Sequence, residues 1–197
     1  MHRLLGRFVI GAGALLIAAT AQAQGTSGSS GRPFKLGGAF GATIPLGDFS
    51  DAADLGYHLG GLIEYKPQAV PVNLRGEVTY HRNSLKDGAF GDFPGVGGTS
   101  SLFGFVGNIL IPFGDATSTA RPYAIGGIGV YHFSRSSDDL PSGNKLTNSS
   151  TDFGLNVGGG FTFNLSGFET FVEARFHSVF TENSNTNVLP ISFGFKF

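Results

Sequence analysis

Charged side chains recur two residues apart in segments that alternate in polarity: Arg75 with Glu77, and Glu173 with Arg175. Glu64 and Glu169 also fall on the polar faces of their segments. Residues i and i+2 of an extended strand share a face, so each pair projects to one side and opposite charges can meet across strands. In a narrow interior such charges must be paired or hydrated, because an unpaired buried ion is very costly. Glu64, Arg75, Glu77, Glu173 and Arg175 therefore form a candidate interior network, with Lys35, Lys66 and Lys196 towards one end. Two chemistries follow: a salt-bridge plug that fills the space, or a gate whose re-pairing admits ions or very small solutes.

The other chemistry-bearing residues carry less. His58, His81, His132 and His177 are expected on the same inward face near the opposite end, and imidazole both titrates and ligates metal. They are spread over four segments without close ligand spacing, so the expectation is solvated rim histidines and no metal site. The run Gly88 to Gly98 (GAFGDFPGVGG) lacks the strand-to-helix context and the lysine of a phosphate-binding loop, and reads as a surface loop. Asp138 and Asp139 are two adjacent acids without further ligands, usually just solvated. With 0 cysteines there is no disulfide, thiolate metal site or catalytic thiol. No catalytic residue and no cofactor is assigned.

The elements that position these residues are strands. Eight segments alternate at period two: 34–46, 56–66, 72–82, 100–113, 121–133, 151–164, 168–180 and 188–197. The third is the cleanest, with Val72, Leu74, Val78 and Tyr80 against Asn73, Arg75, Glu77, Thr79 and His81. The fourth is blurred, since Leu102, Val106 and Leu110 lie opposite Phe103, Phe105, Ile109 and Ile111. Apart from the last, the connections run long, short, long, short, the longest being 83–99 and 134–150. That is the rhythm of a barrel with short turns at one membrane surface and longer loops at the other. Residues 34–197 are thus expected to form an all-β, eight-stranded antiparallel up-and-down transmembrane barrel.

Ahead of it, residues 24–33 (QGTSGSSGRP) read as a flexible lead-in and residues 1–23 as a signal peptide: Arg3 and Arg7, an apolar stretch, then Ala21-Gln22-Ala23 as a cleavage site. About 12 apolar residues cannot cross a bilayer core that needs about 20 in a helix. Cleavage would take 13 basic and 14 acidic residues to 11 and 14, a net charge of -3, which gives no support to nucleic-acid binding. Charged residues make up 14% of the chain, against about 25% in ordinary soluble domains.

Periodicity alone leaves open which face is outside, so a soluble barrel with an apolar lumen competes. Three features favour the apolar face outside. The polar face is rich in small residues, which suit a narrow lumen. The apolar faces are rich in Phe. All five tyrosines lie near strand ends, so that Tyr57, Tyr80, Tyr131, Tyr65 and Tyr123, with Phe133, Phe180, Phe113, Phe168 and Phe197, are expected to form two aromatic belts.

Several stretches together resemble the eight-stranded outer-membrane barrel family of OmpA-like and OmpX-like proteins. They are Ile44 to Phe49 (IPLGDF), Arg121 to Val130 (RPYAIGGIGV), Phe171 to His177 (FVEARFH) and the terminal strand ending at Phe197. The resemblance implies a cell-envelope protein of the outer membrane of a Gram-negative-type bacterium, porin-like in architecture, surrounded by outer-membrane lipids. It also implies that Phe197, Phe195 and Phe193 act as the assembly signal read by the barrel-assembly machinery. The expected role is structural, or an interaction with extracellular ligands through loops 83–99 and 134–150, by a monomeric barrel. A small gated channel is the alternative. A lipid-modifying enzyme such as the lipid A deacylases is less favoured: His177 and Ser178 are adjacent, near Glu173 and Glu182, but strand neighbours point to opposite faces.

Overall fold

The computed structural model describes residues 33–89, 96–115, 118–138, 146–165, 167–181 and 185–197. Eight strands follow one another: β1 (Phe34–Leu46), β2 (Gly56–Tyr65), β3 (Asn73–Leu85), β4 (Gly98–Pro112), β5 (Ala120–Ser137), β6 (Thr147–Leu165), β7 (Phe168–Phe180) and β8 (Asn185–Lys196). Among the described residues there is one short helix, α1 (Asp48–Ala52), between β1 and β2. Each strand pairs antiparallel with its neighbours in sequence, and β8 closes on β1. Closure satisfies the backbone groups that an open sheet edge would expose.

The register fixes the shape. A path across paired residues runs Leu36, Ile63, Gly76, Gly107, Ile128, Leu155, Ser178, Asn187 and returns to β1 at Leu46, ten residues above its start. A stagger of that size requires tilted strands, about 35–45° from the axis, and eight strands leave an interior that side chains can fill. Phe153, Ile128, Val157 and Phe105 stand exposed on the outer face, while Glu64, Arg75, Glu173 and His177 are buried inside. The polarity is therefore inverted relative to a soluble barrel. The blurred fourth strand resolves the same way: Leu102, Val106 and Leu110 point into the lumen and Phe103, Phe105 and Ile109 away from it.

Two tyrosines expected in the aromatic belts are corrected. Tyr57 and Tyr65 are exposed, but Tyr123 and Tyr131 point inward and are buried. Phe133, also expected in a belt, is half-buried and meets Phe49 edge-on at 6.1 Å. Space for the large inward ring of Tyr131 comes from glycine. A Cβ added at Gly104, Gly129 or Gly154 would lie 2.9 Å from it, so three adjacent strands leave a slot for one side chain. Gly154→Ala is therefore expected to cost about 1–3 kcal/mol by overpacking. A Cβ at Gly107 would meet nothing within 4 Å, and Gly107→Ala should stay within about 0.5 kcal/mol. Urea midpoints in micelles separate the two.

Helix α1 lies outside what the alternation predicts. Gly47 enters it with φ 58, a left-handed conformation suited to glycine, and the Ser50 hydroxyl donates to the Gly47 carbonyl at 2.6 Å. Phe49 then packs into a cluster with Ala53, Leu85 and Val188 at the long-loop end of the barrel. Lys86 ties this lid to β3, donating from Nζ to the Ser50 carbonyl at 2.8 Å.

Candidate functional site

The centre of the lumen is built from β2, β3 and β7. Arg75 lies opposite Glu64 in the register, and its alternate neighbour Glu77 shares its face. Arg75 donates from Nε and Nη2 to Glu64 Oε2 at 3.2 and 3.1 Å, and from Nη1 to Glu173 Oε2 at 2.9 Å and Glu77 Oε1 at 3.4 Å. Arg175 donates from Nη1 to Glu77 Oε2 at 2.6 Å, and its Nε lies 2.7 Å from Glu173 Oε1, a close charge contact without hydrogen-bond alignment. All five candidate network residues are thus brought together.

Flanking charges expected on the inward face join the network, and Tyr123, Asn108 and Phe171 add partners not expected from the sequence. Lys196 donates to both Glu64 oxygens at 3.1 and 3.0 Å and reaches Glu169 at 3.3 Å, and Lys35 also pairs with Glu169. Tyr123 donates its hydroxyl to Glu173 at 2.7 Å and Asn108 its amide to Glu77 at 2.9 Å. The Arg75 guanidinium lies 4.9 Å from the Phe171 ring centre, a cation–π placement. Four cations (Lys35, Arg75, Arg175, Lys196) face four carboxylates (Glu64, Glu77, Glu169, Glu173), so the interior is formally neutral. Neutrality with several hydrogen bonds per carboxylate lets charge be buried without an unpaired ion. The inward turn of Tyr123 was legible in principle: it stands two residues from Arg121, on the polar phase of its strand.

Above this layer lie His58, His81 and His177, three of the four candidate histidines. Thr43 Oγ1 contacts Nδ1 of His58 at 3.2 Å and of His81 at 3.0 Å; His58 Nε2 meets Ser192 Oγ at 2.9 Å; Tyr131 OH meets His177 Nδ1 at 2.9 Å. These three are buried lumen groups, not solvated rim residues. His132 is the further correction: it is exposed on the outer face, bonded to Thr151 at 2.9 Å, because β5 places Tyr131 inward and its neighbour therefore outward. Among the described residues no group of three or more His, Cys, Asp or Glu is arranged to hold a metal. Leu102, Val106, Tyr131 and Val179 form an apolar tier, and Phe49 of α1 covers the end.

The remaining candidates do not converge. His177 is fully buried while the adjacent Ser178 lies on the other side of the strand, and Glu182 is outside the described residues. Gly88 ends a turn and β4 begins at Gly98 as a strand, with residues 90–95 outside the described set. Asp138 follows the end of β5, and Asp139 is likewise outside that set. Phe193, Phe195 and Phe197 stand exposed on the outer face, and Leu36 and Phe197 exchange backbone hydrogen bonds of 3.1 and 2.9 Å where the last strand meets the first.

Comparison with known proteins gives the same architecture. Neisserial surface protein A superposes with a TM-score of 0.59 at 16% identity, covering 84% of this chain and 96% of that one. A major outer membrane protein from Thermus thermophilus gives 0.61 at 14% identity, covering 84% and 99%. The Yersinia pestis attachment invasion locus protein Ail, solved with the heparin analogue sucrose octasulfate, gives 0.51 at 14%, covering 83% and 96%. At such identities the likeness is one of fold. No curated protein matches the sequence. The model of the outer membrane protein beta-barrel domain, however, matches residues 10–197. With a closed eight-stranded barrel, an apolar outer face and that family match, the chain belongs to the outer membrane protein β-barrel family and is a protein of the bacterial outer membrane.

Proposed function

We propose that this barrel is a sealed, monomeric scaffold that acts from its surface, structurally or through its extracellular loops, and not by passage through its lumen or by catalysis. The observation that carries the reading is the network of Glu64, Arg75, Glu77, Glu173 and Arg175, buried inside the barrel, hydrogen-bonded to Tyr123 and Asn108, and brought to formal neutrality by Lys196, Lys35 and Glu169. The apolar tier and the α1 lid add a second closure. Sealed barrels place function on loops held by a rigid scaffold. The candidate surface is the pair of connections within 83–99 and 134–150; β3 to β6 extend into both, which narrows them to 86–97 and 138–146.

The same reading has the signal peptide removed after Ala23 and the barrel-assembly machinery recognising Phe193, Phe195 and Phe197 on the closing strand. Planar-bilayer recording tests the sealed lumen. The wild-type chain is expected to be electrically silent. Discrete current steps whose size changes in Glu77→Ala or Arg175→Ala would overturn it in favour of a small gated channel.

A further inference from the structure

The charges that neutralise one another in the lumen leave two cations over, Lys66 and Arg121, and both line the cavity at its turn-side mouth. We propose that this mouth is a binding site for a phosphate group. Lys66 follows β2, and among the described residues its ammonium has no ion-pair or hydrogen-bond partner. Arg121 spends Nε and Nη2 on the carbonyls of Phe113 and Gly114 at 3.3 and 3.4 Å, which hold its guanidinium at the mouth and leave Nη1 uncommitted. The two acids of the cavity are already engaged: Glu169 with Lys35 and Lys196, Glu64 with Lys196, Arg75 and Asn73.

The cavity measures about 120 Å³, room for about four waters at liquid density, so it suits one compact anion and not an extended chain. Thr162 and Asn164 on β6 add neutral polar groups to its wall. Two surplus positive charges match a phosphate, which carries about -1.5 to -2 near neutrality, better than a single carboxylate. Two sources present that chemistry: a soluble phosphate and the headgroup of an anionic lipid. The doubled charge favours the soluble ion.

The test uses the full chain in neutral detergent at low ionic strength, titrated with inorganic phosphate by calorimetry. Saturable one-site binding is expected, weakened about tenfold in Lys66→Ala, since a hydrogen bond to a charged group is among the stronger ones. That side chain is exposed and unpartnered, so heat-modifiable gel mobility should show the variant folded. Absence of saturable binding, or equal binding by the folded variant, overturns the site. Repeating the titration in nanodiscs with and without phosphatidylglycerol separates the sources: unchanged affinity supports the soluble ion, and competition by the lipid overturns that assignment.

Discussion

Arg75→Ala is expected to lower the unfolding free energy by about 3–5 kcal/mol, the range for removing one partner from a buried ion cluster. Arg75 is 1% exposed and donates to three carboxylates, so the truncation leaves Glu64, Glu77 and Glu173 short of a shared cation in a low-dielectric interior. The loss should fall towards the lower end, because Lys196 still serves Glu64 and Arg175 still serves Glu77 and Glu173. Lys35→Ala is the internal control. Its pair with Glu169 is part-exposed, with side chains 34% and 21% accessible, and pairs of that kind contribute about 0–1 kcal/mol. Urea unfolding in micelles, followed by the gel shift between folded and unfolded forms, reads both. Equal effects from the two variants would mean that the network is hydrated throughout and does not form a plug.

Ile128→Arg is expected to cost about 2–4 kcal/mol when the chain folds into bilayers, the penalty for a charge on the lipid face near the midplane. Ile128 is 66% exposed on the outer face and lies midway along β5 between Pro122 at the turn end and His132 near the loops. The same change at Phe180, at the loop-end rim of β7, should cost about 0–1 kcal/mol, since the penalty fades towards the interface. Were the outer face in water, Ile128→Arg would alter stability by no more than about 0.5 kcal/mol. The magnitude therefore discriminates, and refolding into lipid vesicles over a urea series measures it.

Strand number, the inside-out polarity and the five central charges were legible because most strands have a polarity contrast between their faces. β1 and β7 carry that contrast to both ends, and their observed bounds coincide with the expected ones. Where contrast fails, the pattern misleads. Around Gly126, Gly127 and Gly129 the side chains that reveal a face are missing, so the parity of Tyr123, Tyr131, His132 and Phe133 can be read only by counting from Arg121. β5 continues to Ser137 and β6 begins at Thr147, since a hydrogen-bonded ladder can extend past the apolar band where both faces are polar. Helix α1 is only five residues long, too short for a helical period to register. Its stability comes from Phe49 packing on residues far away in sequence, Leu85, Phe133 and Val188. The contribution of Lys196 depends on β8 closing against β1 and β7, a long-range event that local pattern does not encode.

The Phe-rich face is expected to meet lipid while the charged face stays inside the barrel. The chain contains 0 tryptophans, so a single Phe105→Trp substitution supplies a clean reporter on that outer face. In vesicles its fluorescence is expected to be strongly quenched by lipids brominated along the acyl chain and untouched by aqueous iodide. Quenching by iodide with no effect of brominated lipid would place that face in water and rule out a lipid-facing barrel.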